Sequence, residues 1–209
     1  MFTKNKIILM QENTQVKIID SSSNPAPLGL LGFGLTTILL NLANAEITNK
    51  TSVIIAMGIF VGGLAQVIAG ILESKKNNTF GMTAFIAYGF FWISLVGIWV
   101  LPSVFDNCPQ SIAPTHPELA WYLLLWGIFS FGMFIGTFKI SRALQIVFGS
   151  LVVLFILLAL ANFTGSHQIH IIAGYEGIFC GLSAVYTSLA GVINELYEKE
   201  LMPIRPVKK

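Results

Sequence analysis

From residue 28 to residue 193 the chain runs through six apolar stretches, at Leu28–Ala45, Ser52–Leu72, Met82–Leu101, Leu119–Phe138, Ala143–Phe163 and Ile169–Ile193. Each is close to the roughly 20 residues an α-helix needs to cross a hydrocarbon core. Lipid offers no water to backbone N–H and C=O groups, so a spanning segment must bond them internally, as a helix does. The connections are short and polar and leave no room for a separate soluble domain. Charge supply agrees: only 11% of the 209 residues are charged and 55% are hydrophobic, against about 25% charged in a soluble domain. The expected fold class is all-α integral membrane, with six transmembrane helices per protomer in a multi-pass protein of the cell (inner or plasma) membrane.

Lysine and arginine give the orientation. Lys4, Lys6, Lys17, Lys75, Lys76, Lys139, Arg142, Lys199, Arg205, Lys208 and Lys209 fall on one side of a six-span chain, and only Lys50 on the other. That asymmetry predicts cytoplasmic N and C termini. The expected organisation is a polar tail over 1–23, a six-helix domain over 24–195 and a cytoplasmic tail over 196–209. Gly-Ile-Phe at Gly58, Gly127 and Gly177, on spans that share a direction, suggests a three-fold helix-pair repeat. The sequence Ala43-Asn44-Ala45 resembles a signal-peptidase site, but Pro25, Pro27 and the polar Thr36, Thr37 and Asn41 make the preceding run a poor signal core, so the first span is expected to be retained.

Reactive residues are sparse. Cys108, in an outer connection, and Cys180, in the last span, show no pairing or metal spacing. There is no phosphate loop and no nucleophile–base pairing. Catalysis, cofactors, a metal site and nucleic-acid binding are therefore not expected; membrane lipid is. Sequons begin at Asn49, Asn77 and Asn162, and on this topology only Asn49 faces outward.

Polar groups inside the spans carry most of the functional information, because in lipid they need a partner or a hydrated path. Phe33, Thr37, Asn41 and Asn44 recur at helical spacing on one face of span one. Gly62, Gln66 and Glu73 do so on span two, with Glu73 expected at the cytoplasmic edge. Tyr88 and Trp92 are one turn apart on span three, Gln145 and Asn162 flank Leu151 and Phe155 on span five, and Ser183, Thr187 and Asn194 share a face of span six. Single hydroxyls and amides serve mainly as interhelical bonds, yet five mildly polar stripes point to a shared path. Glu176 is the exception to an otherwise charge-poor interior. It is a proton-sensitive candidate, expected in an outer vestibule with His167 and His170 nearby. A path of this character suits a small, weakly charged or partly apolar solute, not a strongly hydrated ion.

Several segments form a recognisable set. Asn24-Pro25-Ala26-Pro27-Leu28-Gly29 is followed by GFGLTTILLN (32–41), AMGIFVGGLAQ (56–66), NTFGMTAFIAYGFFW (78–92), FIGTFKISRALQ (134–145) and AGYEGIFCG (173–181). Together they resemble the acetate uptake transporter family, the succinate–acetate permease type, over roughly residues 24–206. The resemblance implies a homohexamer in which each protomer has its own pore for acetate and succinate. It assigns a hydrophobic constriction to Phe33, Tyr88 and Leu151, and an influence on substrate size to Ala184. Tyr175 and Glu176 depart from the family's pattern at the outer mouth. For a carboxylate, donors without a fixed charge are wanted, and Thr37, Asn41, Gln66, Trp92, Asn162, Ser183 and Thr187 are the pore-lining candidates. A channel for a neutral solute such as urea or ammonia, and a non-transporting membrane protein, remain open on the residues alone. In the opening motif Asn24 is expected as the N-cap of span one, with Pro25 and Pro27 in its first turn, where missing N–H groups do little harm. The free amides there would favour a carboxylate at the inner mouth.

Overall fold

A computed structural model describes residues 23–104 and 113–207. Lys4, Lys6, Lys17, Cys108, Lys208 and Lys209 lie outside the described residues. Six helices are long and apolar enough to span a membrane: α1 (Ala26–Asn44), α2 (Ser52–Lys75), α3 (Thr79–Val104), α4 (His116–Thr137), α5 (Arg142–Thr164) and α6 (His167–Leu196). Among the described residues no strand forms. Most helices start one to three residues earlier than the apolar runs, because polar caps bring the first turn in with them. Ser141 Oγ accepts the Leu144 amide at 3.2 Å, and Ser166 Oγ accepts that of Ile169 at 3.4 Å. Thr115 and Glu118 form a capping box on α4.

At the head of α1 the N-cap is Pro25, not Asn24. The carbonyl of Pro25 accepts from Leu28 and Gly29 at 3.1 and 3.3 Å, while Asn24 Oδ1 reaches the Ala26 amide at 3.1 Å. Asn24 thus caps from one residue further out. Pro27, at the second helical position, removes an amide that would have had no partner.

The helices close into a ring, and two kinds of seam hold it. Between α1 and α6, glycines bring the backbones together. The Gly34 carbonyl oxygen lies 2.8 Å from where a Gly181 Cβ would stand, and the Gly181 carbonyl oxygen 2.8 Å from a Gly34 Cβ. Lipid tails are as apolar as leucine, so close packing of this kind, not water exclusion, drives helix pairing in a membrane. Ser188 Oγ adds a bond across this seam to the Pro27 carbonyl, at 2.6 Å. Between α3 and α4 the backbones stay apart and large rings fill the gap. Tyr88 meets Phe129 edge-on at 5.5 Å, and Phe91 stacks on Tyr122 at 5.8 Å.

Two features were not legible as simple spans. Residues Met57–Ala65 of α2 form a nine-residue π-helix between α-helical flanks. Its wider turn lets α1 come close: Val61 O lies 2.5 Å from where a Gly32 Cβ would stand. Such segments concentrate at functional sites. The second feature is the C-terminal segment. It doubles back and bonds to the start of α5, with the Arg142 and Ala143 amides donating to the carbonyls of Arg205 and Ile204 at 3.0 and 3.2 Å. Asn194 anchors the turn, accepting the Leu201 and Met202 amides at 2.8 and 2.9 Å and donating to the Met202 carbonyl at 2.8 Å.

Candidate functional site

A cavity of about 360 Å³ opens at the end of the bundle that carries Lys75, Lys76 and Lys139. It is walled by α1, α2, α3 and α5, and α4 and α6 contribute nothing to it. Asn24, Glu73, Asn78 and Ile140 surround its open end. Phe33, Gln66, Tyr88 and Leu151 surround its deep end, and Phe80, Phe85 and Phe148 line the wall between. Asn24 and Phe33 are nine positions apart on the chain, so the cavity reaches about 13 Å into the bundle. Its volume falls within the range of small-molecule sites, about 300–1,000 Å³.

At the deep end Phe33, Tyr88 and Leu151 are 6%, 3% and 3% exposed. The Phe33 and Tyr88 rings are 6.1 Å apart between centroids. Tyr88 is held from behind. Ser130 Oγ donates to the Trp126 carbonyl at 2.7 Å, which leaves it to accept the Tyr88 hydroxyl proton at 2.8 Å. The hydroxyl is therefore turned to α4, and the ring presents its apolar body to the cavity, wedged among Phe129, Phe148 and Trp126.

Polar groups without partners among the described residues lie on both sides of these three apolar side chains. Toward the opening, Glu73 is only 2% exposed. Its Oε2 accepts from Asn78 Nδ2 at 2.7 Å and its Oε1 is unpartnered. Deeper in the bundle, Thr37 Oγ1 and Trp92 Nε1 are buried and unpartnered, and each sits one helical turn past Phe33 or Tyr88. Buried polar atoms are nearly always bonded, and exceptions ask for a reason.

A family model matches residues 10–204 and is described as the GPR1/FUN34/yaaH family. This chain belongs to that family. It is 50% identical over 182 residues to the succinate-acetate/proton symporter SatP of Escherichia coli K12, covering 87% of this chain and 95% of that one. A solved structure of the bacterial acetate channel SatP superposes with a TM-score of 0.85 at 50% identity, over 88% of this chain and 99% of the other. An uncharacterised protein of Methanothermobacter thermautotrophicus is 49% identical over 201 residues, 95% of this chain and 98% of its own length. The ammonia transport outward protein 2 of Saccharomyces cerevisiae is 38% identical over 174 residues, 81% of this chain and 61% of the yeast protein. The named relatives are channels and transporters, not enzymes, and this member of the GPR1/FUN34/yaaH family is a multi-pass membrane protein.

The remaining polar candidates of this family member are dispersed. Gln66 lines the cavity and donates to the Gly62 carbonyl at 2.6 Å. Asn41 bonds its own helix at Thr37 O and accepts from Asn44, at 2.9 and 3.0 Å, while pressing on Gly177 of α6. Asn162 lies at the opposite end of the bundle, 3.3 Å from His116 Nδ1. Ala184 is fully buried on α6. Ser183 and Thr187 line a separate groove beside the C-terminal segment, and their hydroxyls return to carbonyls of their own helix at 2.7 Å each.

Two acids of the spans lie in different surroundings. Glu73 lies at the basic end, as expected, and is buried there in the cavity wall: α3 starts immediately after the turn, and a Cβ at Gly81 would stand 2.9 Å from its carboxyl carbon. Glu176 does not line this cavity. It lines a groove shared with Phe134, Gly149 and Phe179, because its position on α6 turns toward the outer side of α5. His167 pairs with Glu46 at 2.6 Å.

Proposed function

We propose that this protein conducts acetate and related short carboxylates such as succinate across the cell membrane, as a channel or a proton-linked transporter. One path runs through each protomer. The single observation that carries the proposal is the apolar closure of Phe33, Tyr88 and Leu151, bracketed by the unpartnered polar atoms of Glu73 on one side and of Thr37 and Trp92 on the other. A short carboxylic acid has that mixed character: a small apolar body passes between the rings, and its polar head finds a group on each side. Among the described residues no lysine or arginine lines the cavity, so none of them holds a fixed charge that would trap an anion. The names of the half-identical relatives support the same substrate class.

In this reading the basic end faces the cytoplasm, as the lysine and arginine distribution implies, and six protomers associate. Glu73, the only acid among the described residues that line the cavity, is the group on which proton linkage would rest. The yeast relative named for ammonia transport gives one alternative, a path for a small neutral solute. Proteoliposomes distinguish them. Labelled acetate is expected to enter faster under an inward proton gradient. Urea or ammonia flux equal to that of acetate would favour the alternative, and absence of any flux would overturn both.

A further inference from the structure

The grooves on the outside of the bundle converge on two arginines. The Arg142 amide donates to the Arg205 carbonyl at 3.0 Å, so both side chains spring from one point at the basic end. Arg142 Nη1 donates to Gln145 Oε1 at 2.7 Å, and neither guanidinium is ion-paired among the described residues. Glu200, the nearest acid on the C-terminal segment, commits its Oε1 to the backbone amides of Ile204 and Arg205, at 2.9 and 3.1 Å.

Two furrows leave this point. The larger, about 950 Å³, runs between Phe134, Gly149, Val153 and Phe179. The smaller, about 270 Å³, runs beside Tyr186 and Thr187. Arg142, Ile146 and Arg205 belong to both. From Arg142 to Val153 is eleven helical positions, or about 16 Å of depth. That matches one leaflet of a hydrocarbon core, half of about 30 Å. Glu176 closes the deep end of the larger furrow, with Oε2 buried against the protein.

We propose that this forked groove is a binding site for an anionic phospholipid, its phosphate on Arg142 and Arg205 and one acyl chain in each furrow. Planar guanidiniums bind phosphate oxygens in pairs, and basic pockets between membrane helices suit anionic headgroups. Charge complementarity sets this occupant above a second copy of the chain. The exposed faces another copy would offer, such as Phe60, Leu64 and Ile68 on α2 or Leu125, Ile128 and Phe131 on α4, are apolar and carry no carboxylate to meet two cations.

The test is native mass spectrometry of the full-length protein, delipidated in detergent and titrated with phosphatidylglycerol or phosphatidylcholine. The wild type is expected to retain several-fold more phosphatidylglycerol than phosphatidylcholine. Arg142→Gln combined with Arg205→Gln keeps the backbone bonds and is expected to abolish that preference. Ile146→Trp, which fills the wall common to both furrows, is expected to reduce bound lipid of either kind, and serves if the double variant does not fold. Equal retention of the two lipids by the wild type, or a preference unchanged in either variant, overturns the site. So does a shift in oligomeric mass with no change in bound lipid, which would assign the groove to contacts between copies.

Discussion

The rings of Phe33 on α1 and Tyr88 on α3 face each other with centroids 6.1 Å apart, at the deep end of the cavity. This contact is directional because Tyr88 cannot turn freely: its hydroxyl is tied to Ser130 on α4 at 2.8 Å. Tyr88→Phe keeps the ring and removes the tie. Hydrogen bonds between membrane helices contribute on average about 0.6 kcal/mol, so the melting temperature in detergent should fall slightly. Acetate flux should become less selective as the ring gains freedom. An unchanged melting temperature and unchanged selectivity would show that the tie does not hold the ring.

Glu73→Gln separates charge from shape. The Asn78 amide can still donate to the new side-chain oxygen, as it donates to Glu73 Oε2 at 2.7 Å, so the cavity wall is preserved. The expected result in proteoliposomes is acetate flux that persists but no longer accelerates under a proton gradient. A variant that keeps the full acceleration would remove Glu73 from the proton pathway.

Glycine positions offer a paired stability test. A Cβ at Gly181 would stand 2.8 Å from the Gly34 carbonyl oxygen, whereas one at Gly132 meets nothing within 4 Å. Gly181→Val should destabilise the α1–α6 seam by about 1–3 kcal/mol through overpacking. Gly132→Ala should be neutral or slightly stabilising, since glycine is a poor helix former by about 1 kcal/mol. Thermal melts of the two variants check the contrast, and equal effects would contradict the packing described.

The C-terminal segment should respond to acid. Backbone hydrogen bonds from Arg205 and Ile204 hold the Glu200 carboxyl below its usual range. A folded-state value below the unfolded one means the segment is stabilised above the unfolded value, about 4.3. That support is lost as pH falls through the folded one. Limited proteolysis of residues 197–207 should therefore be slow at neutral pH and faster in strong acid. Glu200→Gln should remove the acid-dependent change, and an identical pH profile in that variant would refute the assignment.

Helix number could be read ahead of the coordinates for physical reasons, whereas the grouping of Phe33, Tyr88 and Leu151 comes from the family resemblance. Apolar runs of membrane length leave the backbone one solution, and charged residues can only sit between them. The polar stripes were a poorer guide. Ser183 and Thr187 share a helical face with Asn194, but their hydroxyls bond back to their own helix, and the face meets the returning C-terminal segment. Hydroxyls that can satisfy themselves locally say little about a path. Glu73 falls on the polar face of span two at the cytoplasmic edge, but its near-complete burial is not carried by its neighbours Ser74, Lys75 and Lys76, which are polar or charged. Its burial depends on the turn that brings Asn78 and Gly81 over it. The π-segment of α2 and the doubling back of the C-terminal segment both arise from contacts with distant residues, which a local pattern does not carry.

The most direct measurement is competition for labelled acetate uptake in proteoliposomes made with wild type and with Leu151→Ala. Leu151 is 3% exposed and lines the same cavity as Phe33 and Tyr88. Truncating it opens space at the proposed constriction. The account predicts that acetate uptake persists or rises and that larger monocarboxylates, weak competitors in the wild type, become effective ones. Uptake and competition profiles identical to the wild type would contradict the claim that carboxylates pass between these three side chains.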